Sequence, residues 1–383
     1  MDLRLSEEHR ALRSTFHDWA EDILVPDAIR NDREERFPAE ALAALRAAGY
    51  LGLTIPTEFG GSGADPLSYV LLIEELGRGD PNVRSIVSVH LGLVAGAVTR
   101  HGSPEQHRQW LPRMASGEVI GCFGLTEPDY GSDPAGLAAR AERQPGGGYL
   151  ITGRKVFITN GSIAGVALVM ARTGGPGAGG ISAFLVPAGT PGFSARPIHG
   201  KLGLRSCDTA ELVLEAVPVG PEALLGAEGE GLRIALRALD DGRMSIAASS
   251  VGIAQAALDA MVGYAGARSQ FGKPIAGHQL VQEMIADTAV DVDAGRLLTW
   301  LVADLAERGE PYTLAASKAK LFATEAAIRA ANSCVQVHGG YGYVDEYVAG
   351  KLLRDARVAT LYEGTSQIQK LLIGRALTGV SAF

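Results

Sequence analysis

The chain has 383 residues, enough for two or three domains of ordinary size. Hydrophobic residues make up 46% of it and charged residues 20%, and its 49 glycines and 18 prolines stay below the level that marks low-complexity disorder. A net charge of −8 gives no general attraction to nucleic acid or anionic lipid, and three widely spaced cysteines (Cys122, Cys207, Cys334) exclude a disulfide framework and a CxxC zinc site. No metal is expected. No apolar run reaches 18 residues, so no membrane span is expected either. The N-terminal Met-Asp-Leu-Arg-Leu-Ser-Glu-Glu has neither a signal core nor an Arg-rich, acid-poor transit pattern, and a cytoplasmic protein is the expectation.

Taken in order, the first 118 residues read as helices. Ser6 opens the first, with Leu12, Phe16, Trp19 and Ile23 at helical spacing. Residues 38–48 and 67–76 continue the pattern between Gly/Pro-rich breaks. Asp80-Pro81 then supplies an N-cap and a proline at the first helical position. The helix that follows, 82–100, is apolar nearly all round, which predicts burial. Near Ile120 the texture changes to short β-prone runs at 149–152, 155–159, 166–171, 181–187 and 211–215. From Gly229 long helices return at 229–266, 279–308, 311–337 and 365–378, the first about 55 Å long. The expected architecture is α+β: an N-terminal helical domain at 1–118, a middle sheet or barrel domain at 119–225, and a C-terminal four-helix bundle at 226–383. Gly175-Pro-Gly177-Ala-Gly-Gly180 matches G-x-G-x-x-G, but it contains proline and opens no helix, so it reads as a hairpin loop.

Four polar, glycine-rich segments exceed what a structural core needs. They are Phe123-Gly-Leu125-Thr126-Glu-Pro-Asp-Tyr-Gly131-Ser132-Asp133, Phe157-Ile158-Thr159-Asn160-Gly161, Arg268-Ser-Gln270-Phe271-Gly272-Lys273-Pro274, and Tyr362-Glu363-Gly364-Thr365-Ser-Gln367-Ile-Gln369. Gln336-Val-His-Gly339-Gly340 shortly precedes the last of them. In this order and spacing they resemble the acyl-CoA dehydrogenase flavoproteins over essentially the whole chain.

The resemblance implies FAD and a defined chemistry. A carboxylate takes the proton α to a thioester carbonyl while a hydride leaves the β-carbon for flavin N5, and the product is a trans-2-enoyl thioester. Such a base works best when desolvation raises its pKa toward the working pH. Glu363 stands at the family's base position, and its backbone N–H is implied as a donor to the thioester carbonyl. Some relatives carry the base at the position of Gly242, where glycine cannot serve; Asp241 is adjacent but turned about 100° around the helix.

Phe123, Leu125 and Thr126 match the segment at the flavin pyrimidine, Ser132 a serine near the cofactor phosphates and acyl chain, and Ile158 and Thr159 the strand behind the ring. Phe157 replaces the family's common tryptophan. Arg268, Gln270, Phe271, Gln336, Gly339 and Gly340 match groups that reach the adenine dinucleotide of a neighbouring subunit, and Thr365 and Gln367 contacts that follow the base. Asp240, Arg243, Cys207 (a serine in many relatives) and Gly364 match the lining of the thioester tunnel, for coenzyme A or a carrier protein. A homotetramer, built as a dimer of dimers, and an electron-transfer flavoprotein partner are implied. Passing electrons to oxygen, as an oxidase or monooxygenase, is the alternative on this fold.

Arg84 lies near the start of an apolar helix, where a cation opposes the helix dipole. Buried, it needs an anion, either Asp80 or another acidic side chain, or a carboxylate at the distal end of the acyl group. Val83-Arg84-Ser85-Ile-Val-Ser-Val resembles the segment that holds such a carboxylate in glutaryl-CoA dehydrogenases, and the closing Gly374-Arg375-Ala-Leu-Thr-Gly-Val is similar to theirs. Those enzymes carry a glutamate seven positions earlier, where this chain has Gly77. That departure counts against oxidative decarboxylation and leaves open the oxidation of a carboxy-acyl thioester.

Overall fold

A computed structural model describes residues 4–382. Seven α-helices, one π-helical stretch and two short 3-10 turns in its first third build an N-terminal helical unit. Helix α1 (Glu7–Ile23) is capped by Ser6, whose hydroxyl accepts from His9 N at 3.1 Å. It buries Phe16 and Ala20; Ile23, expected in the stripe, is exposed because Leu24 takes the next core place. Helices α2 (Val25–Glu34), α3 (Ala39–Ala47) and α4 (Pro66–Gly79) follow.

The apolar helix expected at 82–100 is a continuous rod with three textures. It runs as α5 (Pro81–Val87), a π-helical stretch (Ser88–Ala95) and α6 (Gly96–His101), and α7 (Pro104–Ala115) completes the unit. Asp80 caps the rod by accepting from Asn82 N at 3.1 Å. The wider π turns re-phase the side chains beyond Val87, a distortion common where a helix serves a site.

The middle of the chain is one eight-stranded mixed sheet, with strands β1 (Gly121–Gly124), β2 (Arg140–Arg143), β3 (Tyr149–Thr159), β4 (Val166–Arg172), β5 (Ile181–Pro187), β6 (Phe193–Pro197), β7 (Thr209–Val219) and β8 (Leu224–Leu225). The order is β6-β7-β3-β2-β4-β5-β8, with β1 parallel to β4. The runs at 149–152 and 155–159 form a single strand, β3, whose pairing with β7 is interrupted by bulges. Gly175 to Gly180 is the β4–β5 hairpin connection, as the motif's lack of a following helix required.

After the sheet comes α8 (Gly231–Ala267), 37 residues long. A small hairpin of β9 (Ser269–Gln270) and β10 (Lys273–Pro274) leads to α9 (Gln279–Glu307) and α10 (Thr313–His338). These three long helices pack together, with α11 (Ala349–Ala359) and α12 (Ser366–Thr378) against α10. Helix α11 lies between the third and fourth expected helices of the bundle.

Two helical stretches, Pro81–His101 and Gly231–Ala267, are long and apolar enough by composition to cross a membrane. Of their most apolar windows 83% and 61% are buried inside the protein, which marks both as core helices.

Helices α4 and α8 cross at glycines. A Cβ on Gly252 would collide with Glu74 O, and one on Gly77 would come within 2.8 Å of Ser249 Cα. Gly263 on the same α8 has open space around it. Gly252→Ala is therefore expected to lower stability by about 1–3 kcal/mol, whereas Gly263→Ala gains up to about 1 kcal/mol of helix propensity. Thermal melts of the two variants should move in opposite directions.

Candidate active site

Glu363 and Gly364, between α11 and α12, are consecutive left-handed residues with φ of 52° and 91°. A non-glycine residue in that region is costly and persists only when its surroundings hold it. Three side chains do so here. Gln369 Nε2 donates to Glu363 O at 3.2 Å and to Gly364 O at 3.0 Å. Lys320 Nζ donates to Gly364 O at 2.9 Å, and Arg243 Nε reaches Glu363 O at 3.4 Å. Thr365 then caps α12 by accepting from Ile368 N at 3.2 Å, and Ser366 Oγ donates to Glu325 of α10 at 2.6 Å.

The turn sends the Glu363 carboxylate against α8, where Gly242 makes room for it. Any Cβ at 242 would overlap Glu363 Oε2. The residue as a whole keeps some exposure, but Oε2 has no solvent access and no hydrogen-bond partner. Burial raises its pKa to about 7, against the opposing pull of Arg84, Lys320 and Arg243. A carboxylate poised there is half ionised near neutrality and has no other bond to break before taking a proton.

Neighbouring acids are committed elsewhere. Asp241 accepts from Tyr312 Oη and Arg100, so it is not a free base. Asp240 pairs with Arg243 at 2.8 Å and accepts from Thr313 Oγ1 at 2.6 Å.

Arg84 is 2% exposed and forms no ion pair among the described residues. Its Nη2 donates to Tyr362 Oη at 2.8 Å, and its Nε has no partner. Asp80 does not neutralise it. That carboxylate is taken by Asn82 and by Lys351 of α11, which also binds Asp355 at 2.7 Å. Cys207 is buried beside this network, its N–H donating to Asn82 Oδ1 at 3.0 Å; burial pushes its thiol up to about 11. Tyr69 is buried within electrostatic reach of Arg84 and Glu363.

Phe123 and Leu125 are buried at the end of β1, Thr126 is partly exposed and Ser132 lies on an exposed loop. A buried pair anchors that loop: Lys155 Nζ binds Glu127 at 2.7 Å and Leu125 O at 3.2 Å, while Glu127 accepts from Ala139 N at 2.9 Å. The β3 bulge puts Phe157 at φ 59° with its ring 67% exposed, beside buried Ile158 and partly buried Thr159.

Arg268, Gln270, Gly339 and Gly340 gather elsewhere, with Tyr264, His338 and Tyr341, around a cleft of about 610 Å³. Phe271, Gln336 and Gln367 are exposed and line no part of it. The cleft shares no lining residue with the Glu363 site. An exposed aromatic face, polar backbone at Thr126 and an arginine in an open cleft suit a flavin ring and a pyrophosphate.

The chain matches the acyl-CoA dehydrogenase N-terminal domain over residues 6–118, the middle domain over 122–217 and the C-terminal domain over 229–378. The chain belongs to the acyl-CoA dehydrogenase family. Its members are FAD-dependent oxidoreductases acting on CH–CH bonds. The chain is 42% identical to the short-chain specific acyl-CoA dehydrogenase of Bos taurus, over 97% of this chain and 90% of that one. Butyryl-CoA dehydrogenase from Megasphaera elsdenii superimposes with a TM-score of 0.96 at 37% identity, covering 98% and 100% of the two chains. A glutaryl-CoA dehydrogenase from Mycobacterium smegmatis in complex with FADH2 gives 0.94 at 38% identity, over 99% and 96%.

Sequence reading missed Lys320, Gln369, Tyr69 and the Lys155–Glu127 pair. For Lys320 a signal existed: it shares a face of α10 with Ala316, Ala323 and Ala327, all buried, so a charge stands at a core position of the helical period.

The raised Glu363 pKa has a stability consequence. The carboxyl is easier to ionise in the unfolded chain, near 4.5, than in the folded one, near 7. Above pH 7 it therefore opposes folding, and the penalty disappears as pH falls to about 4.5. Glu363→Gln should be more stable than wild type by about 1–3 kcal/mol at pH 8. The gap should narrow as pH falls and close only below about pH 4.5 in denaturant titrations.

Proposed function

We propose that the chain dehydrogenates short acyl thioesters at Cα–Cβ, with Glu363 as the base, and that it takes acyl groups ending in a carboxylate. The sealed, unpartnered Oε2 of Glu363 carries the first part. In this reading ionised Glu363 takes the α-proton, and its backbone N–H donates to the thioester carbonyl. Asp240, Arg243, Cys207, Ser132 and Gly364 line the path of the thioester tail, carried by coenzyme A or a carrier protein. Bound FAD supplies the hydride acceptor. Phe123, Leu125, Thr126, Phe157, Ile158 and Thr159 hold its ring; Arg268, Gln270, Phe271, Gln336, Gly339 and Gly340 reach a neighbouring subunit's dinucleotide, and Thr365 and Gln367 follow the base.

Arg84 supports the second part. A buried guanidinium with an orphaned Nε and no carboxylate partner is costly unless a ligand brings one. Gly77 argues against the decarboxylating variant, because α8 leaves no space for any side chain there. Assembly as a homotetramer is supported by α9, which leaves Val290, Leu297 and Leu301 exposed along one stripe. Electrons then pass to an electron-transfer flavoprotein.

Glu363→Gln should bind thioester but lose flavin reduction by at least about 10²–10⁴-fold in anaerobic stopped-flow, since an amide cannot accept the proton. Near-normal reduction would move the base elsewhere. Adding oxygen to the reduced wild type separates a dehydrogenase, reoxidised slowly, from an oxidase.

Glutaryl-CoA should reduce the flavin with a lower KM than butyryl-CoA. Arg84→Ala should raise the glutaryl KM by about 10–100-fold and leave the butyryl KM nearly unchanged, the expected cost of deleting one charge-assisted hydrogen bond. Equal effects on both substrates would make Arg84 purely structural.

A further inference from the structure

Lys320 is fully buried on α10 and forms no ion pair among the described residues. Its buried neighbours one turn away on α10 are Ala316, Ser317, Ala323 and Thr324, none of them charged, so helix contacts do not ask for a charge. A methionine of similar volume would fill the space without the cost of desolvating an ammonium. Its one side-chain hydrogen bond among the described residues, from Nζ to Gly364 O at 2.9 Å, lands on the residue after the base. Five positions further along α10, Glu325 holds Ser366, so the same helix grips the left-handed turn at Gly364 and the start of α12 just after it.

We propose that Lys320 is a positioning residue for the base, fixing the Glu363–Gly364 turn and keeping the carboxylate anionic at neutral pH. This rests on the reading of Glu363 as the base. Charged and titratable groups face Glu363 from each helix around it: Tyr69 from α4, Arg84 from α5, Asp241 and Arg243 from α8 and Lys320 from α10, with Tyr362 adjacent. Arg243 is answered by Asp240, and Asp241 opposes ionisation. Arg84 and Lys320 are the two of these cations without an ion-pair partner among the described residues. If Arg84 is engaged by an anionic acyl group, its pull on Glu363 is cancelled during turnover. Lys320 is then the cation that remains. Burial brings its own pKa down to about 8, Glu363 pulling it upward, so it is still mostly charged at pH 7.

The test compares wild-type holoenzyme with Lys320→Met, which removes charge and donor, and Lys320→Gln, which keeps a donor one atom shorter. Glu363→Gln identifies the infrared band of the protonated Glu363 carboxyl by its loss. Titrating that band should show the carboxyl moving up by about one pH unit or more in both Lys320 variants, the scale of losing one nearby opposite charge. The acid limb of flavin reduction with glutaryl-CoA or butyryl-CoA should move with it, slowing the rate at pH 7 by about fivefold or more. At high pH the Gln variant should recover more of the wild-type rate than the Met variant. Melting temperatures should hold or rise, because a buried charge has gone. Infrared and rate profiles that superimpose on wild type, with or without a lower melting temperature, overturn the proposal. Should Lys320→Met fail to fold, Lys320→Gln carries the same test. The base assignment fails separately, if Glu363→Gln still reduces the flavin, whatever the infrared titration of the Lys320 variants shows.

Discussion

Keeping a carboxylate out of water with no donor on one of its oxygens costs several kcal/mol, and much of the helical half of this protein is arranged around that cost at Glu363. Space for Oε2 exists only because residue 242 lacks a side chain. The direction of the carboxylate depends on two successive left-handed residues, and those depend on Gln369, Lys320 and Arg243 holding their carbonyls. The cations near Glu363 act at a distance. An arginine in contact would pin the carboxylate well below neutrality, whereas charges outside contact leave burial dominant and the group near 7.

A second buried polar network decides what Arg84 is free to do. Asp80, Lys351 and Asp355 join the N-terminus of α5 to α11, and Leu204 N, donating to Asp355 at 2.6 Å, extends the link to the segment between β6 and β7. Because Lys351 has claimed Asp80, Arg84 keeps its charge unanswered except by the Tyr362 hydroxyl. Tyr362 is the residue before Glu363. The same segment therefore presents the proposed base and braces the cation proposed for the far end of the acyl group.

The sheet contributes through irregularities more than through its ladders. The bulge in β3 re-aims Phe157 outward, and Lys155, two residues earlier, ties the loop after β1 through Glu127 and Leu125 O. Asn160, just beyond β3, donates to Ile86 O at 3.1 Å and to Gly121 O at 3.2 Å. That side chain joins the α5 rod to the sheet, so the two halves of the proposed site share one reference frame.

Periodicity and turn chemistry in the sequence determined the helix, sheet, helix order, the cap at Asp80, the hairpin at Gly175 to Gly180 and most helix boundaries, because these depend on residues close in the chain. The glycine-rich segments, taken together, determined the family and pointed to Glu363. The exposed face of Phe157 was not legible, since a bulge depends on the register of two strands distant in sequence. Nor was the fate of Arg84, because a count of nearby acids does not say which cation each will meet. Lys320 lay unremarked in an alanine-rich helix until folding brought Gly364 against it, 44 residues downstream. Local propensity and pattern are written along the chain. Which buried charges find partners, and which are left to act on a ligand or a base, is decided only when distant segments compete for the same few donors and acceptors in a space closed to water.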